Sequence, residues 1–441
     1  MGKFHVVPAF DYVGEARHHC RALRKHGLSS LLLVNEACVA DYSGCADKLV
    51  TCSDLFFEDA IVDSLKPFAQ DLVRFAAIHD RFWPAVLGAA ARLGIPFPTQ
   101  RGQINCRIKP RMRSLLRQTF PVECRLLDVH SPFGISALAA LSELGPRYIA
   151  KPIWGQSGDY VRVFSNDGGG HDAMSCLGTA LLNDCTLRPF FDGETTWNPR
   201  SQLLVEEFLP GREFSLEGFI QENQMVPLMI QEKFFWAESG GLRFETANLA
   251  PTPFLHAKES RSIEHWTREV LQTLELNNSF FHLEFKWNGQ RFSIIEVNPR
   301  LGGGSVPRML NYWFGIDVRE LEFNLQMGTP IVQRFSGRKG FLLGTFVSAP
   351  ESGIVDAIEG IDLVRSRSQF AFDTRYLGRG QAILREENAM AGREAWMYGY
   401  DAFYWCHDTA EIPHLHHETQ DRVHIRMKPA DPGAINRSSC A

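Results

Sequence analysis

Apolar positions recur in two rhythms along this chain, and the switching between them outlines its elements. Phe4 to Pro8, Leu31 to Val34 and Leu72 to Ile78 are short apolar runs of strand type. Between them, Glu15 to His26 has the spacing of an amphipathic helix ended by Gly27. Phe82 to Leu93 is a second such helix, stopped by Gly94 with Pro96 and Pro98 behind it. Strands separated by helices predict a parallel α/β layer up to residue 104. A basic helix, Arg107 to Gln118, then leads to Pro121 and a short strand. Arg147 to Ile153 and Tyr160 to Phe164 are β-rich, and a helix over Asp172 to Leu182 follows the glycines at 168–170. Gln202 to Leu209, Phe214 to Gln221 and Met225 to Glu232 alternate as strands do. Ser260 to Leu274 is helical, Phe280 to Trp287 and Phe292 to Asn298 are strands, and a helical pattern runs from the glycines at 302–304 to Met327. From Ile331 to Lys428 short strands and turns predict a β-rich or α+β cap, with a frayed polar tail beyond it.

Composition narrows the class. At roughly one domain per 150 residues, a chain of 441 suggests about three domains. Apolar residues make up 44% and charged residues 22%, ordinary globular values. With 46 Lys and Arg against 51 Asp and Glu the net charge is −5, which argues against a dedicated nucleic-acid binder. No run of 18 uncharged apolar residues exists, so no membrane span is expected. The apolar run at the start is too short for a secretory signal, and position 6 lacks the Ser or Thr of a myristoylation site. Ten cysteines are scattered without a C-x-x-C pair; Cys38, Cys45 and Cys52 recur every seven residues but match no zinc module. Reduced, mostly buried thiols in a cytoplasmic protein are the expectation. His414-Leu415-His416-His417 reads as a solvated surface stretch rather than a metal site.

Three segments carry the chemistry. In Lys151-Pro152-Ile153-Trp154-Gly155-Gln156-Ser157-Gly158-Asp159, two glycines and a serine between strands can fold over a polyphosphate, with Lys151 as cation. A hairpin loop with an exposed lysine explains that segment equally well. Leu204 to Glu213 runs an apolar strand into Glu206 and Glu207 and a Pro210-Gly211 turn, a way to present backbone groups and a carboxylate to a purine and a ribose, or simply a solvated acidic turn. The third segment is the most informative. In His282-Leu283-Glu284-Phe285-Lys286, alternation puts His282, Glu284 and Lys286 on one face, and in Ile294 to Asn298, Glu296 and Asn298 share a face. Two carboxylates and an amide oxygen on strands this apolar are hard ligands suited to Mg²⁺.

Register tests that idea. A strict two-residue Asn288-Gly289 turn would set Glu284 opposite Ser293, not Glu296. Convergence of the two glutamates therefore predicts an odd loop or a bulge, which Gly289 at positive φ would help to form.

In order and spacing the three segments resemble the ATP-grasp superfamily, and within it the carboxylate–amine ligases, especially L-amino-acid ligases that join two amino acids. The resemblance covers roughly Lys109 to Met327. It implies a mixed α/β and α+β architecture: an N-terminal parallel α/β domain over 1–104, a linker and small lid over 105–210, a larger subdomain with the metal site over 211–330, and a C-terminal antiparallel, β-rich cap and tail over 331–441. It also implies ATP and two Mg²⁺, with Mn²⁺ as a substitute, small-molecule amino-acid substrates, and a homodimer of the kind relatives often form. Nucleic acid and membrane partners are not implied.

By the same resemblance Lys109 is the first nucleotide-contacting lysine, and Lys151 the second, near the α- and β-phosphates. Ser157 and Gly158 belong to the mobile phosphate loop. Glu206, with the backbone of Glu207 and Leu209, receives adenine, and Glu213 holds the ribose hydroxyls. Glu284, Glu296 and Asn298 bind the metal ions. Arg300 contacts the γ-phosphate or the reacting acyl group, so that Arg300, Lys151 and Ser157 form the catalytic set. Lys233 is either a further phosphate contact or a strand-end surface lysine. His282 is either a substrate-side catalytic group or a hydrogen-bonded polar neighbour. Gly303 and Gly304 leave room for an amino-acid substrate, or simply form a loop-to-helix turn. Phe234, Phe235 and Trp236 line an acceptor pocket or pack an interface. The activity implied is amide formation through an acyl phosphate. The alternatives are a carboxylase or purine-pathway enzyme activating bicarbonate or formate, for which the chain lacks a Met-Lys-Met carrier segment, and a non-catalytic nucleotide-binding regulator.

Overall fold

Near the N-terminus the first two apolar runs become strands buried on both faces, and the Leu72 run becomes a half-buried edge strand. The computed structural model describes residues 3–9, 13–76, 80–96, 100–129, 143–155, 158–165, 170–239, 242–383 and 398–429. Lys48–Cys52, Ser29–Asn35, Phe4–Ala9 and Leu72–Phe75 lie in that order in a parallel sheet. Helices Val13–Lys25, Glu58–Leu65 and Trp83–Leu93 connect and cover them. The last helix ends where predicted: Gly94 adopts φ 66° and its N–H closes on Ala90 and Ala91.

The basic helix expected over Arg107 to Gln118 is Lys109–Leu116, and a helix that the pattern did not predict, Gln100–Arg107, precedes it. Ile108 between them is extended, and Pro110, which has no N–H to give, begins the second helix. The break frees the Lys109 N–H, which bonds the Ile153 carbonyl at 2.8 Å and ties this helix to the Lys151 segment. A second, antiparallel sheet follows, ordered Cys124–Asp128, Gln202–Glu207, Arg147–Pro152 and Arg162–Ser165.

The third sheet has eight antiparallel strands. In order they are Phe292–Asn298, Ser279–Trp287, Arg212–Gln221, Gln224–Ser239, Leu242–Ala250, Phe341–Ser348, Tyr398–Cys406 and Phe370–Arg375. Three strands from beyond residue 330 thus extend the sheet that carries Glu284 and Glu296. On one face Phe214, Leu216, Leu283 and Phe285 pack into an apolar core with helix Ala257–Thr273. The helical pattern before Met327 is likewise divided, into Val306–Phe314, ended by Gly315, and Val318–Gln326, capped by the Asp317 carboxylate.

One expectation fails on the C-terminal side. His414 to His417 lie within helix Glu411–Arg422 and are not simply a solvated stretch. Ile412, Leu415, His416 and Thr419 recur at helical spacing and face inward. His416 accordingly bonds Thr345 Oγ1 at 2.8 Å and stacks on Phe235 with ring centroids 4.2 Å apart. Phe234 and Phe235 pack against the core around strand Tyr398–Cys406. Among the described cysteines none is disulfide-bonded; Cys20, Cys52, Cys106 and Cys406 are buried, but Cys176 and Cys185 are exposed. No helix among the described residues is long and apolar enough to cross a membrane.

Candidate active site

The hairpin of Ser279–Trp287 and Phe292–Asn298 contains the irregularity that the glutamates require. Trp287 pairs with Phe292, Lys286 with Ser293 and Phe285 with Ile294; the register then shifts, so that Glu284 faces Glu296 and His282 faces Asn298. The connection is a four-residue loop, 288–291, in which Gly289 adopts φ 91°. The bulge itself falls at Ile295, the residue skipped between the two registers. Because paired residues project to the same side, the four polar side chains share one face, opposite the apolar core.

A bulge releases backbone groups from the ladder, and buried carbonyls must find donors elsewhere. Arg113 supplies them: its guanidinium donates to Ile294 O at 2.8 Å and Ile295 O at 2.9 Å. Its Nε reaches Glu206 Oε1 at 2.5 Å, and Lys151 Nζ lies 2.5 Å from Glu206 Oε2. Glu206 is 1% exposed. Burial alone would raise its pKa, but Arg113 and Lys151 outweigh that and hold it down to about 2. Its carboxylate is therefore committed to two cations, a different environment from the adenine contact implied by resemblance. The Glu207 side chain is also engaged, by Arg291 at 3.1 Å, and its N–H bonds Glu123 O.

A cleft beside the bulge is lined by Asp80, Arg107, Lys109, Trp154, Glu296 and Asn298. Lys109 Nζ is 3.2 Å from Glu296 Oε2, and Asn298 Nδ2 donates to Glu296 Oε1 at 2.8 Å. Arg300 projects toward the same region and pairs with Asp80, which also pairs with the buried Arg107.

On the neighbouring strands Lys233 is a hub rather than a surface residue. Its Nζ lies 3.0 Å from Glu213, 2.8 Å from Glu284 and 3.9 Å from Glu245. Burial opposes its charge, but these carboxylates prevail and raise its pKa well above the usual value. In turn, burial would favour protonated Glu284 and Glu296, yet Lys233 and His282 around the first and Lys109 around the second lower both pKa values. Glu245 fares differently: burial, with Glu284 and Glu213 nearby, pushes it up to about 7 despite Lys233. His282 sits between Glu217, 2.5 Å from Nδ1, and Glu284, 3.1 Å from Nε2. Burial, the largest single influence, lowers its pKa, but Glu217 and Glu284 together outweigh it, and the result is about 10.

Lys109, Glu296 and Asn298 are thus brought together, as are Lys233, Glu213, Glu284 and His282. Gly158 has φ 73°, and Ser157 beside it lies outside the described residues. Gly303 borders open space, and Gly304, at φ 57°, is 3.8 Å from the Tyr376 hydroxyl when measured from an added Cβ. Sequence reasoning missed Asp80, Arg113, Glu217 and Glu245. Asp80 had one usable signal: it follows the carboxyl end of strand Leu72–Phe75, where open parallel sheets place ligand-facing groups.

An ATP-grasp domain profile matches residues 192–308, which contain the bulged hairpin. An uncharacterized protein of Sinorhizobium fredii is 22% identical over 84% of this chain and 73% of its own length. Dapdiamide A synthase of Enterobacter agglomerans is 27% identical over a stretch covering 27% of each chain. Among solved structures, an L-amino acid ligase from Bacillus licheniformis superposes with a TM-score of 0.73 at 19% identity, over 97% of this chain and 99% of that one. A phosphoribosylglycinamide synthetase and biotin carboxylases also share the fold, at TM-scores of 0.63 to 0.65. Profile and fold agree with the ordered motifs: residues 192–308 match an ATP-grasp domain, and the chain shares the fold of these solved structures.

Proposed function

We propose that the chain is an ATP-dependent carboxylate–amine ligase that joins an amino acid to a second amino acid or similar carboxylate, releasing ADP and phosphate. The observation that carries this reading is the pairing of Glu284 with Glu296 across the bulge, both held ionised, beside Lys109 and a cleft. Similarity to a protein named as an L-amino acid ligase supports the amide-forming branch.

The residues fit Mg²⁺ or Mn²⁺. Glu284, Glu296 and the Asn298 amide oxygen are hard oxygen donors on one sheet face, and the carboxylates carry the charge such an ion needs. Bound there, divalent cations supply charge neutralisation for the ATP phosphates. Lys109, and Lys151 with the N–H bonds that Glu206 leaves over, would hold the same phosphates, aided by Lys233 and the loop of Ser157 and Gly158. The Leu209 amide and Glu207 carbonyl would receive the base and Glu213 the ribose. A substrate carboxylate oxygen attacks the γ-phosphorus and the bond to the ADP oxygen breaks. The amine nitrogen then attacks the acyl carbon of the resulting acyl phosphate; phosphate departs and the nitrogen loses a proton. Arg300, fixed by Asp80, would steady the transferred phosphoryl group and the tetrahedral oxyanion. Gly303, with open space beside it, leaves room for the amino-acid substrate.

ADP release measured with pooled amino acids, with bicarbonate, and with neither tests the proposal. Release that requires an amino-acid pair is expected. Release with bicarbonate alone would favour a carboxylase, and ATP binding without turnover on any acceptor would favour a regulator. Arg300→Lys should lower kcat for ADP release about a hundredfold or more, because an ammonium cannot make the forked contact while keeping Asp80. Full activity in that variant would remove Arg300 from the reaction.

A further inference from the structure

Strand Arg212–Gln221 contributes a carboxylate that the mechanism above does not use. Glu217 is 0% exposed and pairs across the ladder with His282, just as Ser215 pairs with Glu284. Its Oε1 lies 2.5 Å from His282 Nδ1 and also accepts from Ser215 Oγ and Gln231 Nε2, each at 3.2 Å. Its Oε2 is enclosed without a hydrogen-bond partner among the described residues. Enclosing a carboxylate so completely is costly, and an apolar residue would fill the same space at less expense in stability.

What the carboxylate accomplishes is visible on the far side of the imidazole. With Nδ1 against Glu217 and Nε2 at 3.1 Å from Glu284 Oε1, both ring nitrogens are engaged by carboxylates and the ring is held from both sides. Glu284 Oε1 also receives Lys233 Nζ at 2.8 Å. Two donors from different strands therefore define the Glu284 carboxylate, and both named contacts fall on the same oxygen, leaving Oε2 for a cation. The glycine loop completes the arrangement. A Cβ on Gly302 would come within 2.9 Å of Glu217 Oε2, 2.9 Å of Val306 Cγ1 and 3.1 Å of His282 Nδ1, so a glycine here lets that pair sit where it does.

We propose that Glu217 is a positioning residue which, through His282, fixes Glu284 in the orientation that a divalent cation shared with Glu296 requires, and that Gly302 is bare to permit it. The proposal rests on the assignment of Glu284 and Glu296 as metal ligands made above. Carboxylates that orient a site through a histidine commonly change metal affinity tenfold to a hundredfold when replaced.

Mn²⁺ binding to the full chain in the presence of ADP, followed by the EPR signal of free Mn²⁺, tests it alongside thermal melting and ADP binding without metal. Glu217→Gln and Gly302→Ala should each weaken Mn²⁺ binding by about 10–100-fold, with metal-free ADP binding unchanged. Gly302→Ala keeps every charge, so it decides the matter even if Glu217→Gln does not fold. Wild-type Mn²⁺ affinity in folded Gly302→Ala or Glu217→Gln, while Glu284→Gln loses it, would overturn the positioning role and leave the metal site intact. Wild-type affinity in Glu284→Gln itself would instead remove the metal assignment, and the positioning role with it.

Discussion

Glu296→Ala is expected to abolish ATP turnover while the protein stays folded. The carboxylate faces Glu284 across the bulge, holds Lys109 at 3.2 Å and accepts from Asn298. Its removal would take one of two anionic ligands from the proposed metal site, which would neutralise phosphate charge, a contribution of several kcal/mol to the barrier, and so a loss of about a thousandfold or more in ADP release. Lys109 would lose its counter-charge, but it lies beside the cleft and Asn298 remains. The melting temperature should therefore change far less than the rate. Glu296→Gln preserves the shape and the hydrogen bond to Asn298 and should be nearly as inactive. Unimpaired ADP release in either variant would refute the ligand assignment.

The bulge itself was legible from sequence by a negative argument. A regular hairpin would have put Glu284 opposite Ser293, so two carboxylates on strands this apolar demanded a break in register. Where the break falls was not legible. The turn at Asn288-Gly289 drew attention, yet the skipped residue is Ile295, where Arg113 caps the released carbonyls of Ile294 and Ile295 from a helix 181 and 182 residues earlier. Such pairings join segments with no local pattern in common. The same holds for Glu217, whose meaning depends on strand register to His282, and for Asp80, which meets Arg107 and Arg300 from two different elements. Periodicity did reach the ends of helices such as Trp83–Leu93, where one glycine decides the boundary. It missed the helix Gln100–Arg107 ahead of Ile108, and it failed at His416, where a polar run concealed an inward face. Local chemistry thus located the strands and their polar face, while long-range ion pairs set which of those polar groups stand in the cleft.

Glu206 offers the sharpest division between a nucleotide contact and a scaffold. Its carboxylate is enclosed between Arg113 and Lys151, and Arg113 in turn holds the two bulge carbonyls. Glu206→Gln would leave two buried cations facing a neutral amide, and breaking a buried pair in this way costs about 3–5 kcal/mol. Chemical denaturation should show that loss directly. Replacing all three residues by apolar ones of similar volume should restore much of the stability, though with the bulge carbonyls unpaired and turnover gone. The pH dependence follows with a definite sign. The folded pKa of Glu206, about 2, lies below the ordinary glutamate value, so the ion pair contributes fully above that ordinary value and is lost as pH falls toward 2. Wild type should therefore lose stability through this acid range more steeply than Glu206→Gln. A variant that keeps wild-type stability and acid response, and changes only the KM for ATP, would return Glu206 to the nucleotide.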